Sequence, residues 1–175
     1  MKTPLLIRPA TEADLPGILD IYNELIANST AVYVYRPQTL ETRTQWFRDL
    51  KAGGWPVLVS VAGDVVTGFC CIGPFRSKPG YRYTGEHTVH VHAAHRGQGL
   101  GRALLTAVVE EAERMGLRVL VGGIDAENPA SLALHRALGF TETARMPQVG
   151  RKFGRWLDLV FVQRVLPGPE NPIEA

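Results

Sequence analysis

Cysteine is scarce in this chain. Cys70 and Cys71 are the only two, and they are neighbours. Adjacent residues of a strand point to opposite faces, which argues against a disulfide framework and predicts reduced, buried thiols. Long apolar runs are missing as well. No segment approaches the ~18 consecutive apolar residues of a membrane span. The opening MKTPLLIRPATEADLP carries one lysine and an apolar run of three residues, short of the apolar core of a secretory signal. A cytoplasmic protein with no membrane partner is expected. Nor does charge of one sign dominate: 19 basic against 17 acidic side chains leave a net charge of +2. That argues against nucleic acid, whose binders show a basic stripe or cluster. The small basic clusters, Arg76 to Arg82 and Arg145 to Arg155, suit a small anion instead. Repeats and linkers are absent too. What is present, 175 residues of which 45% are hydrophobic, suffices for one domain with a full core. Residues 1–166 are read as that domain, and PGPENPIEA, 167–175, as a flexible tail.

Periodicity orders the domain. LLIRPA (5–10) predicts a short strand. Leu15, Ile18, Leu19, Tyr22, Leu25 and Ile26 then recur at helical spacing behind a capping box from Thr11 to Asp14. After Pro37 a second helix is expected, with Leu40, Phe47 and Leu50 on one side and Gly53-Gly54 as its stop. VLVSVAGDVVTGFCCIG (57–73) reads as a hairpin and EHTVHVHA (86–93) as a fourth strand. A helix over about 99–115 presents Leu104, Leu105, Val108, Val109 and Ala112, with Gly116 as its cap. LRVLVGGI (117–124) is a fifth strand. Asn128-Pro129 opens a helix that ends at Gly139, and two β segments follow at about 140–149 and 156–165. The fold class is α/β of the α+β type, with a mostly antiparallel sheet.

HVHAAHRGQGLGRALL (90–105) leads a strand through a glycine-rich turn into a helix. That is a recipe for binding phosphate. The first N–H groups of a helix lack internal partners, its dipole favours an anion, and glycine lets the main chain come close. Arg96 and Arg102 add charge. The turn has no Gly-Lys-Ser/Thr, as a Walker loop requires, and no G-x-G-x-x-G, as a dinucleotide site requires. Its spacing is Arg-x-x-Gly-x-Gly, at Arg96, Gly99 and Gly101. This resembles the pyrophosphate loop of the GCN5-related N-acetyltransferases, which hold acetyl-CoA there. IDAENPASLALHRALGF (124–140) is similar to the second cofactor segment of that superfamily. RYTGEHTVHV (82–91) and MPQVGRKFGRWLDLVF (146–161) resemble its phosphinothricin acetyltransferase branch. The likeness runs over nearly the whole chain.

The resemblance implies a mixed, mostly antiparallel sheet of about seven strands flanked by about four helices. It implies acetyl-CoA as co-substrate and a homodimer. The implied reaction is direct attack on the thioester by the α-amino group of a small amino acid or analogue, of the methionine sulfone, methionine sulfoximine or phosphinothricin type. It places the cofactor on Arg96, Gly97, Gln98, Gly99, Leu100, Gly101 and Arg102, on the main chain of Val89, His90 and Val91, and on Asn128 and Ser131. One N–H, of Val89 or His90, would polarise the carbonyl. Asn128 is equally a plain helix cap.

Glu86 is the candidate general base, against the alternative of a solvated strand-end carboxylate. His135 is a candidate acid for the leaving thiolate, a cofactor contact or a packing residue. Arg76 and Arg82, whose planar forks suit a carboxylate or a sulfonyl or phosphinyl oxygen pair, are candidates for the substrate. Tyr33, Tyr81, Phe153 and Trp156 are candidate pocket walls. His90, His92 and His95 have no nearby carboxylate or cysteine to complete a zinc set, so no metal is expected. The sequence departs from the branch at Tyr33, Val34, Phe75, Lys78 and Gly85, all in substrate-side loops. The competing readings are a protein or peptide N-acetyltransferase and a non-catalytic acyl-CoA-binding regulatory module.

Overall fold

The computed structural model describes residues 6–174. Its first strand, β1, spans Leu6–Pro9; the expected strand residue Leu5 lies outside the described residues. A short 3-10 turn, Glu12–Asp14, leads into α1, Leu15–Asn28, and then α2, Leu40–Ala52. Strands β2 (Val57–Ala62) and β3 (Val65–Pro74) form the expected hairpin. β4 (Thr84–Val91), α3 (Leu100–Arg114), β5 (Val119–Asp125) and α4 (Pro129–Ala137) follow, then the closing hairpin of β6 (Thr141–Lys152) and β7 (Arg155–Val165). The seven strands lie in the order β1-β2-β3-β4-β5-β7-β6. Every pairing is antiparallel except β4 with β5. Seven strands, four helices and one parallel joint match the architecture expected from the sequence.

Apolar side chains cover both faces of the sheet. One core gathers Leu104, Leu105, Val108 and Ala112 of α3 against Leu58, Cys70, Ile72 and Leu120. The other gathers Leu15, Ile18, Ile21 and Leu25 of α1 and Phe47 of α2 against Val57, Val59, Phe69 and Cys71. The adjacent cysteines therefore enter opposite cores, free and buried, as the alternation of a strand requires. The inward stripe of α2 differs from expectation. Leu40 is 47% exposed, whereas Arg43 is 3% exposed. Arg43, Trp46, Phe47 and Leu50 share the inward face at i, i+3, i+4 and i+7, the full spacing of a buried helical stripe.

Two buried charges fasten α1. At its start, Asp14 accepts both arms of the Arg8 fork at 2.8 Å, and the N–H and hydroxyl of Thr11 at 2.7 and 3.0 Å. At its end, the ammonium of Lys152, on β6, donates to the carbonyls of Leu25, Ser29 and Val32 at 3.3, 2.5 and 2.8 Å.

Asp14 makes stability pH-dependent. Hydrogen bonds from Arg8 and Thr11 hold its carboxyl at about 2, below its ordinary 3.8. A depressed carboxyl stabilises the fold above the unfolded pKa, and the effect is lost as pH falls from about 4 through about 2. Urea unfolding of wild type and Asp14→Asn should show about 2 kcal/mol of their stability gap closing between pH 6 and pH 2.5. A gap constant across that range would contradict the assignment.

Candidate functional site

The parallel joint of the sheet is short. β4 and β5 pair only at Thr84–Val119, Gly85–Leu120 and Glu86–Val121. Beyond Glu86, β4 stays with β3 as far as Val91, while β5 stays with β7 as far as Asp125. The sheet forks there. His87 stands in the angle. Its Nδ1 lies 2.7 Å from the Val121 carbonyl, and its Nε2 lies 2.9 Å from Nε2 of His135 on α4. A Cβ at Gly122 would fall 2.6 Å from His87 Cε1, so only glycine leaves room for the ring. Phe140 packs on both imidazoles, with ring centroids 5.2 Å away.

The fork exposes main chain. His92 N–H donates to Thr67 O across β3. Antiparallel alternation then turns His90 toward β3, and turns the N–H and C=O of Val89 and Val91 to the open side. The Val91 carbonyl accordingly accepts from Arg96 Nε at 3.2 Å. Of the two candidate N–H groups, Val89's faces the gap and His90's does not. The ring of His90 instead packs against Phe69 and Tyr22, and burial, then Arg43 and Arg96, push its pKa down to about 4.

The glycine turn lies at the mouth of the fork. Gly97 (φ +74°) and Gly99 (φ +82°) adopt left-handed backbone with open space where a side chain would stand, so the main chain before α3 is bare. At Gly101, by contrast, a Cβ would stand in ordinary contact with Leu134 of α4, at 3.4 Å. Gln98 and Arg102 are exposed, and Leu100 is buried. Arg96 is bound to Glu24 at 3.0 Å. A cleft of about 400 Å³ runs past Val89, His90, Val91, the turn, Asn128 and Ser131. Asn128 caps α4 with its Oδ1, 3.0 Å from Ser131 N–H, and lines the cleft. The cap and the cofactor contact expected of it are compatible, because the cap leaves the amide N–H donors unspent.

Next to it a second cleft, of about 270 Å³, is lined by Tyr22, Arg43, Trp46, Phe69 and Cys71 on one side and by His87 to His90, Gly123 and Asp125 on the other. Glu86 is half-buried at the last rung of the joint, against Gly123. Burial raises its pKa, and Arg76 pulls it back. The structure thus brings Arg76 near Glu86. Arg82 lies over Tyr83, its Cζ 5.1 Å from the ring centroid, and neither arginine lines either cleft. The expected aromatic walls are elsewhere: Phe153 and Trp156 are 57% and 62% exposed, Tyr81 packs on Phe75, and Tyr33 covers Gly150. Tyr22, Trp46 and Phe69 wall the cleft instead. Of the three histidines in the H-x-H-x-x-H run, His92 caps its own turn through Ala94 N–H, at 3.2 Å. No group of three or more metal-binding side chains forms among the described residues.

Known proteins share this arrangement. A model of the acetyltransferase (GNAT) family matches residues 18–140. The L-methionine sulfoximine/L-methionine sulfone acetyltransferase of Salmonella typhimurium is 49% identical over 159 residues, 91% of this chain and 93% of that protein. A phosphinothricin N-acetyltransferase of Streptomyces viridochromogenes is 36% identical, over 98% of this chain and 94% of that protein. The solved structure of yncA from Salmonella typhimurium, with its cofactor acetyl-CoA, superposes with a TM-score of 0.95 at 46% identity, covering 98% of this chain and 99% of that one.

Proposed function

The chain belongs to the acetyltransferase (GNAT) family, and on that basis we propose that it transfers an acetyl group from acetyl-CoA to the α-amino group of a small amino acid or analogue. Methionine sulfone, methionine sulfoximine and phosphinothricin are the substrate types that its relatives' names support. The observation that carries the reading is the fork: unpaired main chain at Val89–Val91, ending on the bare turn before α3. Acetyl-CoA supplies the acetyl group as a thioester.

The chain's own groups divide the remaining work. The N–H groups from Gly97 to Arg102 hold pyrophosphate at the positive end of α3. Val89 offers its N–H and C=O to the pantetheine arm, and its N–H polarises the thioester carbonyl. Asn128 and Ser131 close on the cofactor from α4. Glu86 takes the proton of the substrate ammonium, and burial, which raises its pKa, makes it a stronger base than a solvated carboxylate.

His135 positions rather than protonates. Its Nδ1 lies 2.8 Å from the Ser131 carbonyl. That carbonyl already accepts the helical N–H of His135. Burial pushes His87 to about 3 and lowers His135, so both are neutral near pH 7. Two neutral imidazoles bring two N–H groups to three contacts, with Val121 O, between the two Nε2 atoms and with Ser131 O. In either tautomer the only N–H of His135 is spent on His87 or on its own helix.

Among the described residues no helix is long and apolar enough to cross a membrane, and we place the protein in the cytoplasm. Met146, Val149, Phe153 and Trp156 are exposed apolar side chains on the β6–β7 hairpin at the sheet's edge, and apolar surface on this edge element supports the homodimer. A thiol-release assay tests the function, with acetyl-CoA and methionine sulfone, methionine sulfoximine, phosphinothricin, the ordinary amino acids, a polyamine and a peptide. Turnover concentrated on the first three is expected. Preference for the peptide would transfer the activity to a protein acetyltransferase, and no turnover with acetyl-CoA still bound would favour a regulatory module.

A further inference from the structure

Arg43 is a buried cation without a counter-ion. It is 3% exposed, and no carboxylate of the described residues forms a salt bridge with it. Its guanidinium is fixed all the same. The Tyr22 and Trp46 rings lie 3.9 and 4.5 Å from Cζ, and Nη2 donates to Gln38 Oε1 at 2.5 Å. Nε is buried with no partner. A guanidinium keeps its proton under all ordinary conditions, so it cannot escape burial by becoming neutral. Burial of an unpaired charge is costly. Such a group persists in a fold when something outside the chain completes it, and Arg43 lines the 270 Å³ cleft.

The same cleft holds the complementary orphan. Asp125, on β5, is 4% exposed; its Oδ1 accepts from Glu127 N–H, and its Oδ2 is buried without a partner. One cleft thus presents an unpaired guanidinium on α2, open to an anion, and an unpaired carboxylate oxygen on β5, open to a cation. A zwitterion has that polarity. Its ammonium belongs on the Asp125 side, because Asp125, Asn128 and the β4–β5 fork adjoin there. An oxygen-bearing group then reaches Arg43.

We infer that Arg43 receives an oxygen-pair acceptor of the substrate, a carboxylate or a sulfonyl or phosphinyl group, and so determines specificity; the inference rests on the amino-acid reading above. A guanidinium only donates, and its rigid fork matches two oxygens on one centre. The apolar ring of Tyr22, Trp46, Phe69 and Cys71 strips water from that contact and packs the carbon chain between the two ends. Neither Arg76 nor Arg82 supplies such a buried donor, since both are exposed.

The test compares wild type, Arg43→Met and Arg43→Lys in steady-state acetylation of methionine sulfone, phosphinothricin, methionine and methionine sulfone amide, with acetyl-CoA affinity measured by calorimetry. Arg43→Met should raise KM for methionine sulfone and phosphinothricin about 10- to 100-fold, the loss of one or two charge-assisted hydrogen bonds. Acetyl-CoA affinity should stay at the wild-type value and kcat should change far less than KM. If the α-carboxylate is the group received, KM for methionine rises as well, and the amide is poor with every form. If the oxidised head is received, KM for methionine does not move. Should Arg43→Met fail to bind acetyl-CoA, Arg43→Lys keeps the charge and loses the fork, and still predicts a raised KM. Wild-type KM for every acid in a variant that binds acetyl-CoA normally overturns the inference and leaves the amino-acid reading standing. A wild type that acetylates no amino acid removes the reading, and the inference with it.

Discussion

Glu86→Gln is expected to lower kcat by about 10²- to 10³-fold, the range of a lost general base, with acetyl-CoA affinity unchanged. The substitution keeps the shape and replaces a basic carboxylate by a neutral amide that cannot take the proton. Glu86 sits where the last β4–β5 rung meets the fork, with Gly123 leaving room beside its carboxylate. Its pKa is raised by burial and opposed by Arg76. The rate should therefore rise with pH on an acidic limb displaced upward from that of a solvated carboxylate, and Glu86→Gln should lose that limb. Arg76→Gln should shift the limb upward, because the charge that favours ionisation has gone. Turnover unchanged in Glu86→Gln would remove this residue from the chemistry.

The largest expected effect on stability belongs to Lys152→Met. The ammonium is the shared partner of the Leu25, Ser29 and Val32 carbonyls. Leu25 and the cap residue Ser29 stand at the end of α1, where the dipole is negative and no further turn donates to the last carbonyls, although Leu25 O also accepts the Ser29 N–H. Methionine fills the volume and donates nothing. Leaving up to three carbonyls without this donor should cost about 3–5 kcal/mol in denaturant unfolding. That corresponds to about 10 °C or more in Tm for a domain of this size. Val32 also lines the substrate cleft, so KM for the amino acid should rise while acetyl-CoA binding holds. A loss under about 1 kcal/mol would mean that water serves these carbonyls as well as the ammonium does.

The glycine turn, the four helices and the hairpins were legible because each has a local cause. A left-handed position demands glycine, Asn128 caps from within its own turn, and apolar spacing marks a face. The substrate side was less legible, and for one physical reason: its residues are defined by partners far along the chain. His87 meets His135 across 48 positions, and nothing near Glu86-His87 signals that the imidazole will sit in the angle between two strands. Arg43 did leave a trace. It continues the Trp46, Phe47, Leu50 stripe at helical spacing, but a charged residue in such a stripe reads as solvated unless a ligand is supposed. Phe153 and Trp156 are the converse case: large aromatics suggest a wall, and within one chain they stand exposed on an edge hairpin and line neither cleft.

The wedge of His87 has a consequence for how ligands arrive. Because the His87 imidazole fills the angle between β4 and β5, the slot is built into the fold. Affinity for the pantetheine arm is not diluted by a closed population that must first open. The ordering of Val89–Val91 is completed when the chain folds, and little of it is left to binding. The gap also behaves as an edge strand set inside a continuous sheet. It offers unpaired main chain to a slender extended arm, while the diverging wall of β5 and β7 keeps out the wider strand of another protein, the usual hazard of such an edge.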